Sequence, residues 1–129
     1  LVDTDVLVWL TRGHHGAASR LKQIGDWRIS AITYMELAQG CRDKSELERV
    51  KKALGGGGAQ ITLVSDRVCE RAMRLIDQYA LGGGLQLGDA MIAATALELG
   101  LPLLTANVKH FGGIEGLIVE RFNPAHDPL

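Results

Sequence analysis

The sequence predicts an α/β protein in which a short, mostly parallel central sheet lies between two layers of helices. Short apolar runs alternate with helical patterns along all 129 residues, as in domains with a parallel sheet. The apolar runs lack period-two alternation, which is typical of strands buried on both faces. No linker or repeat divides the chain, so we expect one three-layer α/β/α domain over residues 1–129.

The amino-terminal half alternates short strands with helices. LVDTDVLVWL begins with a strand that ends near Asp3. GAASRLKQIG predicts a short helix closed by a glycine, WRISAI a strand, and TYMELAQGCR a helix with a capping box at Thr33 and Glu36. DKSELERVKKAL predicts a polar amphipathic helix with a second box at Ser45 and Glu48.

The carboxyl-terminal half contains the strongest helical patterns. ITLV predicts a strand, and SDRVCERAMRLIDQYAL a helix with one apolar stripe. GDAMIAATALELG is apolar on nearly all sides and predicts a buried helix, followed by strands at LPLLTAN and GLIVERF. The glycine runs Gly55–Gly58 and Gly82–Gly84 predict loops, and neither has the pattern of a phosphate-binding loop.

Composition excludes several classes of protein. The net charge of −1 gives no chain-wide basic field, so any contact with nucleic acid requires local positive charge. Cys41 and Cys69 lack metal-site spacing and are expected to be free, buried thiols in a reducing compartment. No membrane span or signal peptide is recognisable, so we expect a cytoplasmic protein. The histidines have no zinc-type spacing and are expected on the surface or in loops: His14, His15, His110 and His126.

Oxygen-bearing side chains fall at the carboxyl ends of several predicted strands. Asp3 ends the first strand, Glu36 lies in the helix after the second, and Asp89 opens the buried helix. Thr105 and Asn107 end the strand LPLL. Ligands of open parallel sheets bind at this edge, so we expect these side chains to meet. Clustered carboxylates need a cation, and hard oxygen ligands favour Mg²⁺ or Mn²⁺ over zinc.

Each of these residues also has a purely local interpretation. Asp5 or Thr4 could cap the first helix, and Glu36 could complete its capping box. Asp89 could be an N-cap or a first-turn acid, and Asn107 a turn residue. These roles do not explain an acid within so apolar a first strand.

Three stretches resemble the PIN-domain nucleases. LVDTDVLVWL is similar to the opening of that family, and ITYMELAQG to its segment carrying the second acid. LGDAMIAATALELGLPLLTANVKHF is similar to the third-acid helix and the strand after it, and most closely to the toxins of VapBC-type toxin–antitoxin pairs. The middle of the chain, from about Cys41 to Gly84, is less distinctive. The resemblance implies a PIN-like fold.

The resemblance also implies an activity. It implies a Mg²⁺- or Mn²⁺-dependent endoribonuclease in which water attacks the phosphodiester, usually a homodimer held inactive by a small VapB-like antitoxin. Asp3, Glu36 and Asp89 match the three metal-binding acids. Asn107 stands at the fourth catalytic position, where many relatives have Asp, so a second metal site would be weakened or would bind through water. The supporting residues would be Thr4, Asp5 and Thr105.

RNA binding would need local cations. Arg12, Lys109 and His110 follow two strand ends and could face phosphates, or could be solvated surface charge. Aromatic residues are only 5% of the chain, which argues against a platform for base stacking. We also expect weakly polar helices such as GDAMIAATALELG to offer apolar surface to a partner subunit and to an antitoxin.

Two other functions remain open at this point. DTD after an apolar run resembles the nucleophile motif of haloacid-dehalogenase-type phosphatases, whose first Asp is phosphorylated. That family needs Thr where Leu7 stands, and a downstream Lys before paired acids that this sequence lacks. A PIN-like module that only binds RNA or protein is the other alternative, and Asn107 is the feature that favours it.

Overall fold

Helices and three-residue strands alternate along the chain, as the sequence predicts. The computed structural model describes residues 1–125, and His126 lies outside them. The elements in chain order are α1 (Thr4–Thr11), α2 (His15–Ile24), β1 (Arg28–Ser30), α3 (Ala31–Gln39), α4 (Lys44–Gly56), β2 (Gln60–Thr62), α5 (Asp66–Gly83), α6 (Leu87–Leu99), β3 (Leu103–Thr105), α7 (Val108–Phe111) and β4 (Val119–Arg121).

The strands form two parallel pairs joined by the first residues of the chain. β1 pairs with β2, and β3 pairs with β4. Val2 forms a parallel bridge with Leu104, and its amide donates to the carbonyl of Arg28 at 2.8 Å. The order is therefore β2, β1, the segment ending at Asp3, β3 and β4. The predicted first strand is only this bridge, because α1 begins at Thr4.

Both faces of this sheet are covered, which confirms the three-layer prediction. Consecutive strand residues point to opposite faces. Leu103 lies in one apolar cluster with residues of α5 and α6, whereas Leu104 lies in a second cluster with residues of α1, α2 and α4. Leu1 and Val2 divide between the clusters in the same way. The carboxyl edge of the strands stays open between the two layers.

Helix α6 is almost wholly internal. Its central residues Ala90, Ile92, Ala93, Ala94, Thr95 and Ala96 are buried. The expectation that this helix offers apolar surface to a partner is therefore wrong, although its buried position was predicted. Large exposed apolar side chains lie elsewhere, at Leu63, Met73 and Leu81, and at Leu87 in the first turn of α6.

The predicted capping box of α3 is wrong. Ser30 caps this helix, and its hydroxyl accepts from the amide of Ile32 at 3.0 Å. The helix begins there because the chain turns directly out of β1. Thr33 is consequently buried inside the helix, and Glu36 points away from the helix end toward Thr4.

The second capping box exists, but two residues earlier than predicted. The carboxylate of Asp43, not the hydroxyl of Ser45, caps α4 and accepts from the amide of Glu46 at 2.9 Å. The carboxylate of Glu46 accepts from the amide of Arg42, also at 2.9 Å. A similar arrangement thus forms two residues closer to the amino terminus, and Glu48 takes no part in it.

The glycine runs are only partly loops. Gly55 and Gly56 end α4, and Gly82 and Gly83 end α5. Gly84 has a φ of 69° and closes α5 in the left-handed conformation that glycine favours.

His14 lies in the connection between α1 and α2, as one of the predicted alternatives has it, but it is buried and not on the surface. Its Nδ1 accepts from the amide of Ala17 at 3.0 Å and so caps α2. Its ring packs edge-on against Trp9 and Phe122. Both cysteines are free, as predicted, but neither is buried as expected, since Cys41 is half-buried and Cys69 is exposed. Within residues 1–125, no helix has both the length and the apolar character needed to cross a bilayer.

Candidate active site

Asp3 lies where the first segment leaves the sheet and α1 begins. Its side chain is buried, with 6% of the residue exposed. Oδ1 accepts from the amide of Thr4 at 2.8 Å, and Oδ2 accepts from the hydroxyl of Thr105 at 2.8 Å. An acid is tolerated in this apolar segment because both of its oxygens are hydrogen-bonded. Asp3 is therefore the N-cap of α1, a role predicted for Thr4 or Asp5.

Asp5 lies beside Asp3 at the end of β3. Its Oδ2 accepts from the amide of Ala106 at 3.1 Å and lies 3.3 Å from the hydroxyl of Thr105. A threonine hydroxyl has one proton, and the shorter contact directs it to Asp3. Oδ1 of Asp5 is buried and has no hydrogen-bond partner. This unsatisfied oxygen is an acceptor available to a ligand.

Asp89 occupies the first turn of α6, as one of the sequence alternatives predicts. The amide of Gln86 donates to its carboxylate, and Nδ1 of His110 lies 3.4 Å from its Oδ2. Asn107 follows β3, and its side-chain nitrogen lies 3.1 Å from Nδ1 of His110. The sequence predicted that His110 could face phosphates, but the structure places it against an acid of the site.

Glu36 reaches the cluster through Thr4. The hydroxyl of Thr4 donates to Oε1 of Glu36 at 2.6 Å. Oε2 of Glu36 lies against Gly88, so close that a Cβ added to this glycine would be only 2.9 Å away. Glu36 thus lies against the first turn of α6, one residue before Asp89. Its contacts are with Thr4 and α6, and its side chain is exposed to solvent.

Burial and neighbouring acids raise the pKa of Asp3 and of Asp89. Burial, followed by the negative charge of Asp5, raises the pKa of Asp3 to about 7, against the opposing hydrogen bonds from Thr105 and Thr4. Burial likewise raises the pKa of Asp89, and His110 partly offsets this. Asp5 and Asp89 each contribute to the pKa of Asp3. Asp3, Asp5 and Asp89 therefore form one electrostatically linked acid cluster.

The site has the acidic oxygen ligands that a divalent cation prefers, but they are not arranged around one point. Among residues 1–125, no three His, Cys, Asp or Glu side chains are placed so that together they could hold a metal ion. The buried, unpartnered oxygen of Asp5 and the mutual repulsion of the acid cluster fit a hard cation. The assignment of Asp3, Glu36 and Asp89 as metal ligands stays a prediction.

Two clefts open at the site. The larger, of about 700 Å³, lies between α1, α3 and α4 and includes Thr4 and Glu36. The smaller, of about 240 Å³, lies at the ends of β3 and β4 and includes Asn107. Basic side chains line both, namely Arg12, Arg42 and Arg49 in the larger and Lys109 and Arg121 in the smaller. Only Arg12 and Lys109 were predicted, since the other three arginines carry no sequence signal that links them to the acids.

Comparison with known proteins identifies the family. The family model of the PIN domain matches residues 1–112. The chain belongs to the PIN domain family. This confirms the resemblance of the three sequence stretches to PIN-domain nucleases, and the haloacid-dehalogenase interpretation has no support.

Relatives match the chain over nearly its whole length. Ribonuclease VapC10 of Mycobacterium tuberculosis is 33% identical over 132 residues, covering 99% of this chain and 97% of the relative. Ribonuclease VapC19 of the same organism is 32% identical over 116 residues, covering 86% and 90%. A chain in a toxin–antitoxin complex from Klebsiella pneumoniae is 33% identical, with a TM-score of 0.72 and 95% of each chain covered. VapBC2 from Rickettsia felis, at 22% identity and a TM-score of 0.80 over 95% of this chain and 97% of that one, shows the same fold.

Proposed function

We propose that this chain is a VapC-type endoribonuclease, the toxin of a type II toxin–antitoxin pair. Two relatives aligned over most of the chain carry the name ribonuclease. The observation that carries the proposal is the buried carboxylate of Asp3, at the end of the first strand segment and electrostatically linked to Asp5 and Asp89. Three acids from two distant segments at one open sheet edge favour chemistry on a phosphodiester over a structural role.

A divalent cation completes this proposal. Asp3, Glu36 and Asp89 would hold Mg²⁺ or Mn²⁺, with Asp5 beside them. When bound, such an ion would activate water and neutralise charge on the phosphodiester. Asn107, a neutral residue, would contribute less to a second ion than Asp would.

The chain's own residues prepare the acids for this role. Thr105 and Thr4 fix both oxygens of Asp3, so its carboxylate cannot rotate freely. Thr4 also holds Glu36 by its hydroxyl. Because burial raises the pKa of Asp3 to about 7, this acid can hold a proton near neutral pH and release it when positive charge arrives.

Partners follow from the same proposal. A structural relative at 33% identity comes from a toxin–antitoxin complex, which supports a small VapB-like antitoxin that binds this chain and blocks the acid cluster. The RNA substrate follows from the ribonuclease relatives. The homodimer and the cytoplasmic location stay predictions.

A non-catalytic PIN module that binds RNA or protein is the second candidate. It is favoured by Asn107 at the fourth position and by the lack of a closed three-ligand group within residues 1–125. It predicts RNA binding without metal-dependent cleavage. The raised pKa of Asp3 argues against it, because a binding module gains nothing from such buried repulsion.

The deciding experiment is incubation of the pure chain with total cellular RNA, with and without Mg²⁺ or Mn²⁺, followed by mapping of the new ends. We expect metal-dependent cuts that leave 3′-hydroxyl and 5′-phosphate ends. Asp89→Asn should abolish them, whereas Asp77→Asn, an exposed acid of α5 outside the site, should not. Metal-independent cuts, or none, would reject the catalytic proposal.

A further inference from the structure

We propose that the two clefts at the acid cluster hold the phosphates on either side of the cleaved bond in a single RNA strand. This inference rests on the proposed ribonuclease function and adds the path of the substrate. The strand would run from the cleft between α1, α3 and α4, across the acid cluster, into the cleft at the ends of β3 and β4.

The larger cleft supplies positive charge beside one end of the acid cluster. Arg12 from the end of α1 and Arg49 from α4 line it and are exposed. Arg42 also lines it, and its guanidinium pairs with Glu46 at 2.7 Å while its side chain stays 86% exposed. The cleft therefore carries three guanidiniums and one carboxylate outside the site itself. Its lining includes Thr4, the residue after Asp3, and Glu36, whose carboxylate accepts from Thr4.

The smaller cleft supplies positive charge beside the other end. Lys109 from α7 and Arg121 from β4 line it, together with Asn107. Its wall includes Ala106, whose amide binds Asp5. The larger cleft therefore adjoins the acid cluster through Thr4, the residue after Asp3, and the smaller through Ala106, whose amide binds Asp5, and each brings at least two cations.

This arrangement is what a polyanion crossing an acidic centre requires. The chain as a whole has a net charge of −1, so it attracts RNA only where cations are concentrated. Guanidiniums suit phosphates because they donate two parallel hydrogen bonds. The smaller cleft is lined by one aromatic residue, Phe122, which is fully buried and cannot stack on a base. Recognition along this path is therefore of the backbone and tolerates many sequences.

RNA is a better occupant of both clefts than an acidic peptide. A peptide would need only one of the two clefts, whereas a strand that is cut in its middle needs cations on both sides of the cut. The lining of each cleft includes a residue adjacent to the acid cluster: Thr4 follows Asp3 in the chain, and Ala106 binds Asp5.

The test is fluorescence anisotropy of a labelled single-stranded RNA of about 12 nucleotides, with the full chain in EDTA so that nothing is cleaved. The affinity is measured across a series of salt concentrations. The variants are Arg49→Ala for the larger cleft and Arg121→Ala for the smaller. Lys51→Ala is the matched control, since Lys51 is exposed on α4 and lines neither cleft.

We expect each cleft variant to weaken RNA binding by about two- to fivefold and to reduce the salt slope by about 0.7. In the double variant the two losses of binding free energy and the two reductions in salt slope should add, and the control variant should show neither change. If the chain binds and cleaves RNA but the cleft variants bind as well as the control, the path is wrong while the ribonuclease function stands. If only Arg121→Ala weakens RNA binding and Arg49→Ala does not, the larger cleft does not hold RNA and the two-cleft path is also wrong. Failure of the unmutated chain to bind or cleave any RNA would overturn both.

Discussion

The hydroxyl of Thr105 donates to Oδ2 of Asp3 at 2.8 Å, across 102 positions of sequence. Both residues are buried, and the bond ties the end of β3 to the end of the first strand segment. The same hydroxyl oxygen accepts from the amide of Asn107 at 2.9 Å. One side chain therefore orients an acid of the site and shapes the turn that carries the fourth polar position.

Replacing Thr105 with Val should show how much the Thr105–Asp3 hydrogen bond contributes to the unfolding free energy. Val keeps the shape and removes the donor, which leaves a buried Asp3 oxygen unsatisfied and costs about 1–3 kcal/mol of unfolding free energy. The pKa of Asp3 should rise further, because the Thr105 bond lowers it. Urea denaturation measures the first effect. Thr105→Ser keeps the hydroxyl and is the control, and equal stability of the Val and Ser variants would contradict the prediction.

Stability of the metal-free chain should fall as the pH rises from about 4 to about 7. The pKa of Asp3 is about 7 in the folded chain, whereas an unfolded Asp titrates near pH 3.9. Within this window the folded state binds a proton that the unfolded state has lost, so the unfolding free energy decreases with pH. The raised pKa of Asp89 acts in the same direction.

Denaturation in EDTA at a series of pH values checks this. Asp3→Asn removes the titrating group and should flatten the decrease, and Asp77→Asn should not. The same slope in wild type and Asp3→Asn would show that Asp3 is not the source.

The elements and the acids could be predicted from the sequence because they rest on local pattern and on one topological rule. Short apolar runs marked the strands, and the rule that parallel strands end at one edge brought Asp3, Thr105 and Asp89 together. What could not be predicted depends on distant partners. Glu36 has the spacing of a capping box, yet its carboxylate binds Thr4, because Ser30 already caps α3.

His14 shows the same limit. Its neighbours in sequence are polar or small, but its ring packs against Phe122 from the other end of the chain. The arginines of the larger cleft come from the end of α1 and from either side of the start of α4, so only the packing of those helices places them beside the acids. The negatively charged groups of the site can therefore be predicted from the sequence more completely than the groups that surround them.

Divalent metal should stabilise the chain. A ligand that binds only the folded state at about 100 times its dissociation constant adds about 2.7 kcal/mol to the unfolding free energy. Mg²⁺ or Mn²⁺ should do this by relieving repulsion within the acid cluster. Thermal denaturation with and without metal measures the gain. Asp89→Asn should reduce it, and Asp77→Asn should keep it. An undiminished gain in Asp89→Asn would place the metal elsewhere.

Gly88→Ala should separate stability from metal binding. The new Cβ would lie 2.9 Å from Oε2 of Glu36, so Glu36 must move away from the first turn of α6. Ala also favours a helix over Gly by about 0.5–1 kcal/mol. We therefore expect a chain of equal or higher stability with weaker metal affinity, measured by denaturation and by calorimetric titration. Gly83→Ala, which meets no atom within 4 Å, is the control. Unchanged metal affinity in Gly88→Ala would show that Glu36 is not a metal ligand.

Asn107→Asp should tighten metal binding. The amide of Asn107 lies 3.1 Å from the ring of His110, which in turn contacts Asp89. A carboxylate at this position adds a negative oxygen next to the acid cluster. Without metal it increases repulsion and should lower stability; with metal it offers a further hard ligand.

Calorimetric titration with Mn²⁺ tests this, with Asn107→Ala as the control because it removes the amide without adding charge. The Asp variant should bind more tightly, and the stabilisation by metal should grow together with the affinity. The Ala variant should bind metal no more tightly than the unmutated chain does. Equal affinity in all three chains would mean that position 107 does not face the ion, and the neutral residue there would then be no obstacle to catalysis.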